Sequence, residues 1–233
     1  MDAVSWHTYD YRSSELGGED HRPIPYPPPA DFVNKFFDPV YHDVVDRLAE
    51  NMSAIVQNNA PHLADKIWLT ESNSICHQGV FNVTNAFANS IWLVDRFGIM
   101  ANRGTQLMAR QSLIGYNYSL LGNFPVEPIR AAPDYFTTIL WRKLVGHTVL
   151  QVAAHDDVGT ADANSGLLRS YAYCSAEHPG GGVTLALVNL DTANAATTSV
   201  SFTGAWEEYV GRKSPLATKN LLEVTDGLRR PPF

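Results

Sequence analysis

Apolar and polar positions along this chain follow first one period and then another, and the change divides it. Val4 to Tyr9 reads as a strand, and the run Arg22-Pro23-Ile24-Pro25-Tyr26-Pro27-Pro28-Pro29 after it is a loop that no helix accommodates. Val44, Leu48, Met52 and Ile55 then recur at helical spacing among Asp43, Asp46, Arg47 and Glu50, and Pro61 marks the exit. Ile67-Trp68-Leu69 predicts a short buried strand that stops at Glu71 and opens into Ser72-Asn73-Ser74. A second helix is expected from about Val83 to Phe97, with Phe87, Ile91 and Val94 on one stripe and Gly98 as its left-handed terminator. Gln106 to Ile114 predicts another strand, ending at Gly115. Pro133-Asp134 starts a third helix, with Ile139, Leu140, Leu144 and Val145 as its apolar face and Gly146 as its stop.

This β-α-β-α-β-α order predicts an α/β part with a parallel sheet and covering helices, although three strands cannot close a barrel that needs eight. After Gly146 the helical period disappears. Thr148 to Ala153, Leu167 to Cys174, Val183 to Leu190 and Thr197 to Phe202 read as short strands, with Gly180-Gly181-Gly182 a turn between two of them. Antiparallel strands at that spacing predict a β-sandwich module, so the expected division is an α/β part over 1–146 and a sandwich over 147–233.

Composition narrows the function classes. With 233 residues, 45% hydrophobic and 18% charged, the chain can bury a sizeable core. A net charge of −7, with Lys and Arg in no run longer than Arg142-Lys143, Arg212-Lys213 and Arg229-Arg230, gives no electrostatic footprint for nucleic acid or an anionic membrane surface. Apolar runs such as Val183 to Leu190 are strand-sized, so no transmembrane segment is expected, and Met1-Asp2-Ala3-Val4-Ser5-Trp6 has neither the basic region nor the long apolar stretch of a signal peptide. Cys76 and Cys174 match no metal or redox spacing, and no metal or cofactor is expected. Sequons at Asn51, Asn82 and Asn117 would suit a secreted protein, although the pattern is common by chance.

The candidate chemistry centres on Glu71. A buried parallel strand delivers the residues at its end to the carboxyl edge of its sheet, where barrel enzymes do their chemistry. A glutamate there also serves simply as a solvated residue or as the partner of an arginine. Trp6-His7-Thr8-Tyr9 and Arg110-Gln111, polar and aromatic groups at the ends of two other strand-like runs, strengthen the catalytic reading, because barrel sites are assembled from converging strand ends.

Taken in order, Trp6-His7-Thr8-Tyr9, Ile67-Trp68-Leu69-Thr70-Glu71-Ser72, Arg110-Gln111, Asn117-Tyr118 and Pro133-Asp134-Tyr135 with Leu140-Trp141-Arg142-Lys143-Leu144-Val145-Gly146 resemble the C-terminal half of the heparanase family. This is glycoside hydrolase family 79, which also holds β-glucuronidases. The resemblance runs from Val4 to about Leu190. It implies the C-terminal part of a (β/α)₈ barrel followed by a β-sandwich, both incomplete. It also implies a retaining glycosidase in which one carboxylate attacks the anomeric carbon and a second protonates the leaving oxygen. Glu71 matches the family's nucleophile, whose chemistry asks for a low pKa, and His7, Tyr9 and Gln111 match positions lining the subsite around it.

The family's acid/base glutamate follows an asparagine, and no Asn-Glu pair occurs in this sequence. That is expected of a chain beginning near the sixth strand of the barrel, and neither Glu15 nor Glu19 in the first loop sits at a matching strand end. By the same resemblance, the cysteine matching Cys174 pairs with one near the extreme end. This chain stops at Pro231-Pro232-Phe233, so Cys76 and Cys174 are read as buried reduced thiols.

The resemblance also addresses substrate. Family members hold a glucuronate carboxylate through a tyrosine matching Tyr118 and through backbone N–H groups of a Gly-rich loop. Here that loop is Ser74-Ile75-Cys76-His77-Gln78-Gly79, leaving Gly79 as its one glycine and His77 as new chemistry. The implied partner is a glucuronic-acid-containing oligo- or polysaccharide. Arg12 and Arg22 could flank the cleft, but the acidic balance favours β-glucuronidase-like specificity on less sulfated glycans. Tyr9, Tyr11, Tyr26 and Tyr118 read equally as stacking platforms for sugars or as loop packing. A full-length protein of this kind would be extracellular, lysosomal or membrane-associated. The alternative is a catalytically inactive fragment or a glycan-binding heparanase-like protein.

Overall fold

The structure is a computed structural model and describes residues 2–11, 34, 36–156, 166–178, 181–193, 195, 197–203 and 221–227. The Pro-rich run 22–29, Arg12, Arg22, Glu15, Glu19, Tyr26, Gly180, Arg212-Lys213, Arg229-Arg230 and the last residues lie outside these. The chain forms two compact units, Met1–Thr138 and Ile139–Phe233.

The first unit is α/β. Strand β1 (Val4–Tyr11), helix α1 (Pro39–Asn59), strand β2 (Ile67–Ile75), helix α2 (Phe87–Asn102), strand β3 (Thr105–Arg110) and the start of helix α3 (Pro133–Leu144), within which the division between the units falls, follow one another, and the strands form a parallel sheet in the order β1-β2-β3. Helix α1 begins where chemistry allows. The Asp38 side chain accepts the Val40 N–H at 2.9 Å and Pro39 occupies the first turn. It ends at Ala60, whose N–H closes on Val56 O, and a 3₁₀ turn over Pro61–Leu63 leads to β2.

The apolar stripe of α1 is displaced from the expected one. His42, Val45, Ala49 and Val56 are buried, whereas Leu48 and Ile55 stand 42% and 55% exposed. Polar His42 belongs to the buried face because Nδ1 meets Asp95 Oδ2 at 2.7 Å and Nε2 meets Phe36 O at 3.1 Å. Helix α2 differs in the same way. It extends to Asn102 with Gly98 buried inside it, and its left-handed exit is Gly104, at φ +80°. Phe87 is exposed, and the inward face is Trp92, Leu93, Ile99 and Met100 together with Asn89, Ser90, Asp95 and Arg96. A buried face so rich in polar groups is invisible to hydropathy spacing.

Two polar clusters explain those buried groups. Arg96 and Trp92 both donate to Asp10 at the end of β1, tying that strand to α2. Burial pushes the Asp10 carboxyl up, against the opposing pull of Arg96. Around this pair Tyr11, Phe36, Ile75, Val80, Val83, Trp92 and Leu93 form the main apolar core. Tyr11 is therefore a core residue and not a sugar platform: it is fully buried, stacks on Phe36 at 5.5 Å and donates its hydroxyl to Phe36 O.

The second unit contains β4 (Val145–Asp156), β5 (Leu168–Ser175), β6 (Val183–Asn189), β7 (Thr197–Thr203) and β8 (Leu221–Gly227), in one sheet of order β6-β5-β4-β8-β7. Four of these strands lie where the pattern puts them, and β8 is an addition. The β4–β8 pair is parallel and its neighbours are antiparallel. Gly146 is a residue of β4 and not a helix stop. A Cβ there would fall 2.5 Å from the Cys174 carbonyl oxygen, so only glycine permits this approach of β4 to β5. Cys76 and Cys174 are half-buried and in no disulfide.

Candidate active site

Strand β2 does not stop at Glu71 but runs on to Ile75, and a bulge decides where the carboxylate points. Trp6 pairs with Leu69, yet His7 pairs with Glu71, so Thr70 is an extra residue on β2. The pairing with β3 also slips, between Leu69 and Ser72. A bulge breaks the two-residue alternation and re-aims the side chains beyond it. Thr70 is held by its neighbours, its Oγ1 lying 3.1 Å from His7 Nε2. Before the bulge Ile67 and Leu69 are buried, while Trp68, expected to be buried, is 37% exposed. After it Ser72, Asn73 and Ser74 are buried.

Glu71 is left 38% exposed in a cleft of about 290 Å³ lined by Tyr9, Glu71, His77, Gln78, Gln111, Tyr116 and Tyr118. Tyr9 donates its hydroxyl to Glu71 Oε1 at 2.8 Å, and His7 Nδ1 lies 3.8 Å from Oε2. Burial, reinforced by the carboxylate it contacts, raises the Tyr9 phenol well above its ordinary value, so Tyr9 remains a donor. Burial likewise raises the Tyr118 phenol. The rings of Tyr118 and Tyr9 are 6.4 Å apart, and those of Tyr116 and Tyr118 are 5.5 Å apart, forming an aromatic wall.

Beneath the cleft lies a buried polar network. Asn73 donates to the Gln111 carbonyl, while its Oδ1 accepts the Ser74 N–H at 2.7 Å. Asp134, 1% exposed, accepts Asn89 Nδ2 at 2.8 Å and Ser90 Oγ at 2.7 Å and pairs with Arg110. Arg110 in turn donates to the Tyr118 carbonyl. Arg110 thus faces away from the cleft, and its neighbour Gln111 faces into it.

Tyr9, Glu71, Gln111 and Tyr118 therefore meet in one cleft. His7 stands beside Glu71 on β1 without lining the cleft. Gly79 lies just behind the wall, with no room for a Cβ between Thr84 and Tyr118. Gln78 and Tyr116 were not singled out by sequence. The pair of tyrosines two apart at Tyr116 and Tyr118 was the available signal for one of them, and the backbone turn at Gln78 left none. Among the lining residues Glu71 is the one carboxylate. Among the described residues no three His, Cys, Asp or Glu side chains are grouped to hold a metal, and no helix is long and apolar enough to cross a membrane.

Residues 2–98 match the profile of glycosyl hydrolase family 79, N-terminal domain. Heparanase-like protein 1 of Arabidopsis thaliana is 32% identical over 201 residues, covering 86% of this chain and 32% of that protein. Baicalin-beta-D-glucuronidase of Scutellaria baicalensis is 28% identical over 165 residues, covering 71% of this chain and 28% of that protein. A crystal structure of the GH51 arabinofuranosidase from Xanthomonas axonopodis pv. citri superposes with a TM-score of 0.59 at 17% identity, over 86% of this chain and 40% of that one, a likeness of fold. The relatives are glycoside hydrolases. Within that class, residues 2–98 carry the match to glycosyl hydrolase family 79, and most of the chain is similar to heparanase-like and β-glucuronidase proteins. It spans about a third of the length of the curated relatives it matches.

Proposed function

We propose that this chain carries the nucleophile side of a retaining glycoside hydrolase site for β-glucuronides in glycans, with Glu71 as nucleophile. The observation that carries the reading is the 2.8 Å hydrogen bond from Tyr9 to Glu71 Oε1 inside the cleft, since a nucleophile must be held on one trajectory to meet the anomeric carbon. The family match and the glucuronidase relative support the bond type. In this reaction Glu71 bonds to C1 as the C1–O bond to the leaving group breaks. A second carboxylic acid gives that oxygen its proton, and water then releases the sugar with its configuration retained.

The reading takes the second acid from another part of a longer protein. On this reading the first unit is the C-terminal part of a (β/α)₈ barrel, and the second sheet is part of a β-sandwich. Three parallel strands in sequential order, and a span of about a third of the relatives, support it. The chain alone then hydrolyses ordinary glycosides negligibly. The single carboxylate among the lining residues also favours a second reading, a glycan-binding chain without turnover.

One reagent separates these readings. In 2-deoxy-2-fluoro-β-D-glucuronyl fluoride the leaving group departs as fluoride without a proton, so the C1–F bond breaks and a C1–O bond to the nucleophile forms with no acid present. Mass spectrometry of the treated chain is expected to find the sugar on the peptide containing Glu71 and nothing on that peptide in Glu71→Gln. Absence of the adduct, or its appearance on another residue, removes Glu71 from the role and leaves glycan binding.

A further inference from the structure

Beyond β2 the chain reverses through three consecutive residues in the left-handed region: His77 at φ +58°, Gln78 at +75° and Gly79 at +73°. Glycine is the natural occupant of such a position, and at Gly79 it is the sole possible one, because a Cβ would collide with Thr84 Oγ1 and lie 2.9 Å from Tyr118 Cδ1. His77 and Gln78 have side chains, and each holds a conformation that L residues rarely adopt. The surroundings impose that conformation. The Asn117 N–H donates to Gln78 O at 3.0 Å, the Val80 N–H donates to Thr84 Oγ1 at 2.9 Å, and the Thr84 hydroxyl donates back to Val80 O at 2.9 Å. Strain held in this way clusters at functional sites, and here both strained residues are in the wall of the cleft.

Charge gives the strain a purpose. Of the seven lining residues, His77 is the one whose side chain can carry a positive charge. The groups facing it around the cleft are Glu71 from β2, Tyr9 from β1, and Gln111, Tyr116 and Tyr118 from the segment after β3. Of these, Glu71 is the anion. An anionic sugar entering beside Glu71 meets like-charge repulsion, and an imidazolium on the rim offsets it with a charge-assisted N–H donor. A neutral sugar needs no such partner.

We propose that His77, presented by the left-handed turn His77–Gly79, is the specificity-determining residue that selects a carboxylate-bearing sugar over its neutral counterpart, with the Gln78 amide as a second donor. This rests on the reading of the cleft as a glucuronide site. The test is titration of the ¹⁵N-labelled 233-residue chain with methyl β-D-glucuronide and methyl β-D-glucoside below pH 6, monitored through amide shifts of the lining residues. The glucuronide is expected to bind about fivefold tighter, a ratio in the range of one exposed charge pair. His77→Gly, which relieves the strained φ and so does not endanger folding, brings the ratio to about one, and His77→Lys keeps the preference. A ratio unchanged in His77→Gly overturns the inference, as does equal binding of the two sugars at the cleft by the wild-type chain, and both leave the cleft a sugar site. If neither sugar shifts any lining residue, the site reading and this inference fall together.

Discussion

At the scale of the residue, the tyrosines carry a testable consequence. Burial raises the phenols of Tyr9, Tyr11 and Tyr118, and contact with Glu71 adds to the effect at Tyr9. A phenol whose folded pKa is raised binds its proton more tightly folded than unfolded. Its contribution is thus whole below the unfolded value near 10 and is lost as pH climbs from there toward the folded one. Unfolding free energy measured in denaturant is expected to be flat in this respect up to about pH 9 and to fall above about pH 10, with phenolate absorbance from these three appearing only as the fold opens. Stability unchanged between about pH 9 and 11 would contradict the buried setting of these rings. Glu71, by contrast, was legible as a candidate from its place after Ile67-Trp68-Leu69. Its partner Tyr9 could be named from the first strand, but the hydrogen bond joining them depends on a bulge that no spacing rule shows.

Among the elements, the boundaries set by proline were legible, whereas Gly98 and Gly146, read as stops, lie inside α2 and β4. Pro61 comes just after the end of α1 and Pro133 opens α3, as the missing proline N–H requires. The faces were not. Of the expected α1 stripe Leu48 and Ile55 are exposed while His42, Val45, Ala49 and Val56 are buried, because His42 and Asp95 satisfy each other inside, and Asp10 does the same for Arg96. Asp134 shows the same lesson in a helix start. Its position predicted a cap, and its side chain is instead the buried hub joining α2, α3 and β3. Asp134→Asn leaves Arg110 buried without its counter-charge, so a loss of about 3–5 kcal/mol is expected from chemical denaturation. A loss below about 1 kcal/mol would show that Arg110 reaches solvent.

For the molecule as a whole, the first unit ends in parallel strands with a neighbour on one side only, and α1 exposes Val40, Leu48 and Ile55. Parallel sheets are ordinarily covered on both faces and at their edges. On the partial-barrel reading, the isolated chain is expected to self-associate and bind hydrophobic dye. A dye-free monomer by light scattering with a single sharp thermal transition would count against that reading. Local pattern was enough for the α/β order, the change to strands after Gly146, and the run carrying Glu71, because secondary structure obeys periods and breakers that lie within a few residues of each other. It took the folded chain to settle which faces are buried, that Gly146 sits where two strands nearly touch, and that Tyr9 meets Glu71 across 62 residues beside His77 and Gln78. Those outcomes depend on pairs of polar groups, on a bulge and on backbone angles, and each exists only when distant segments are brought together.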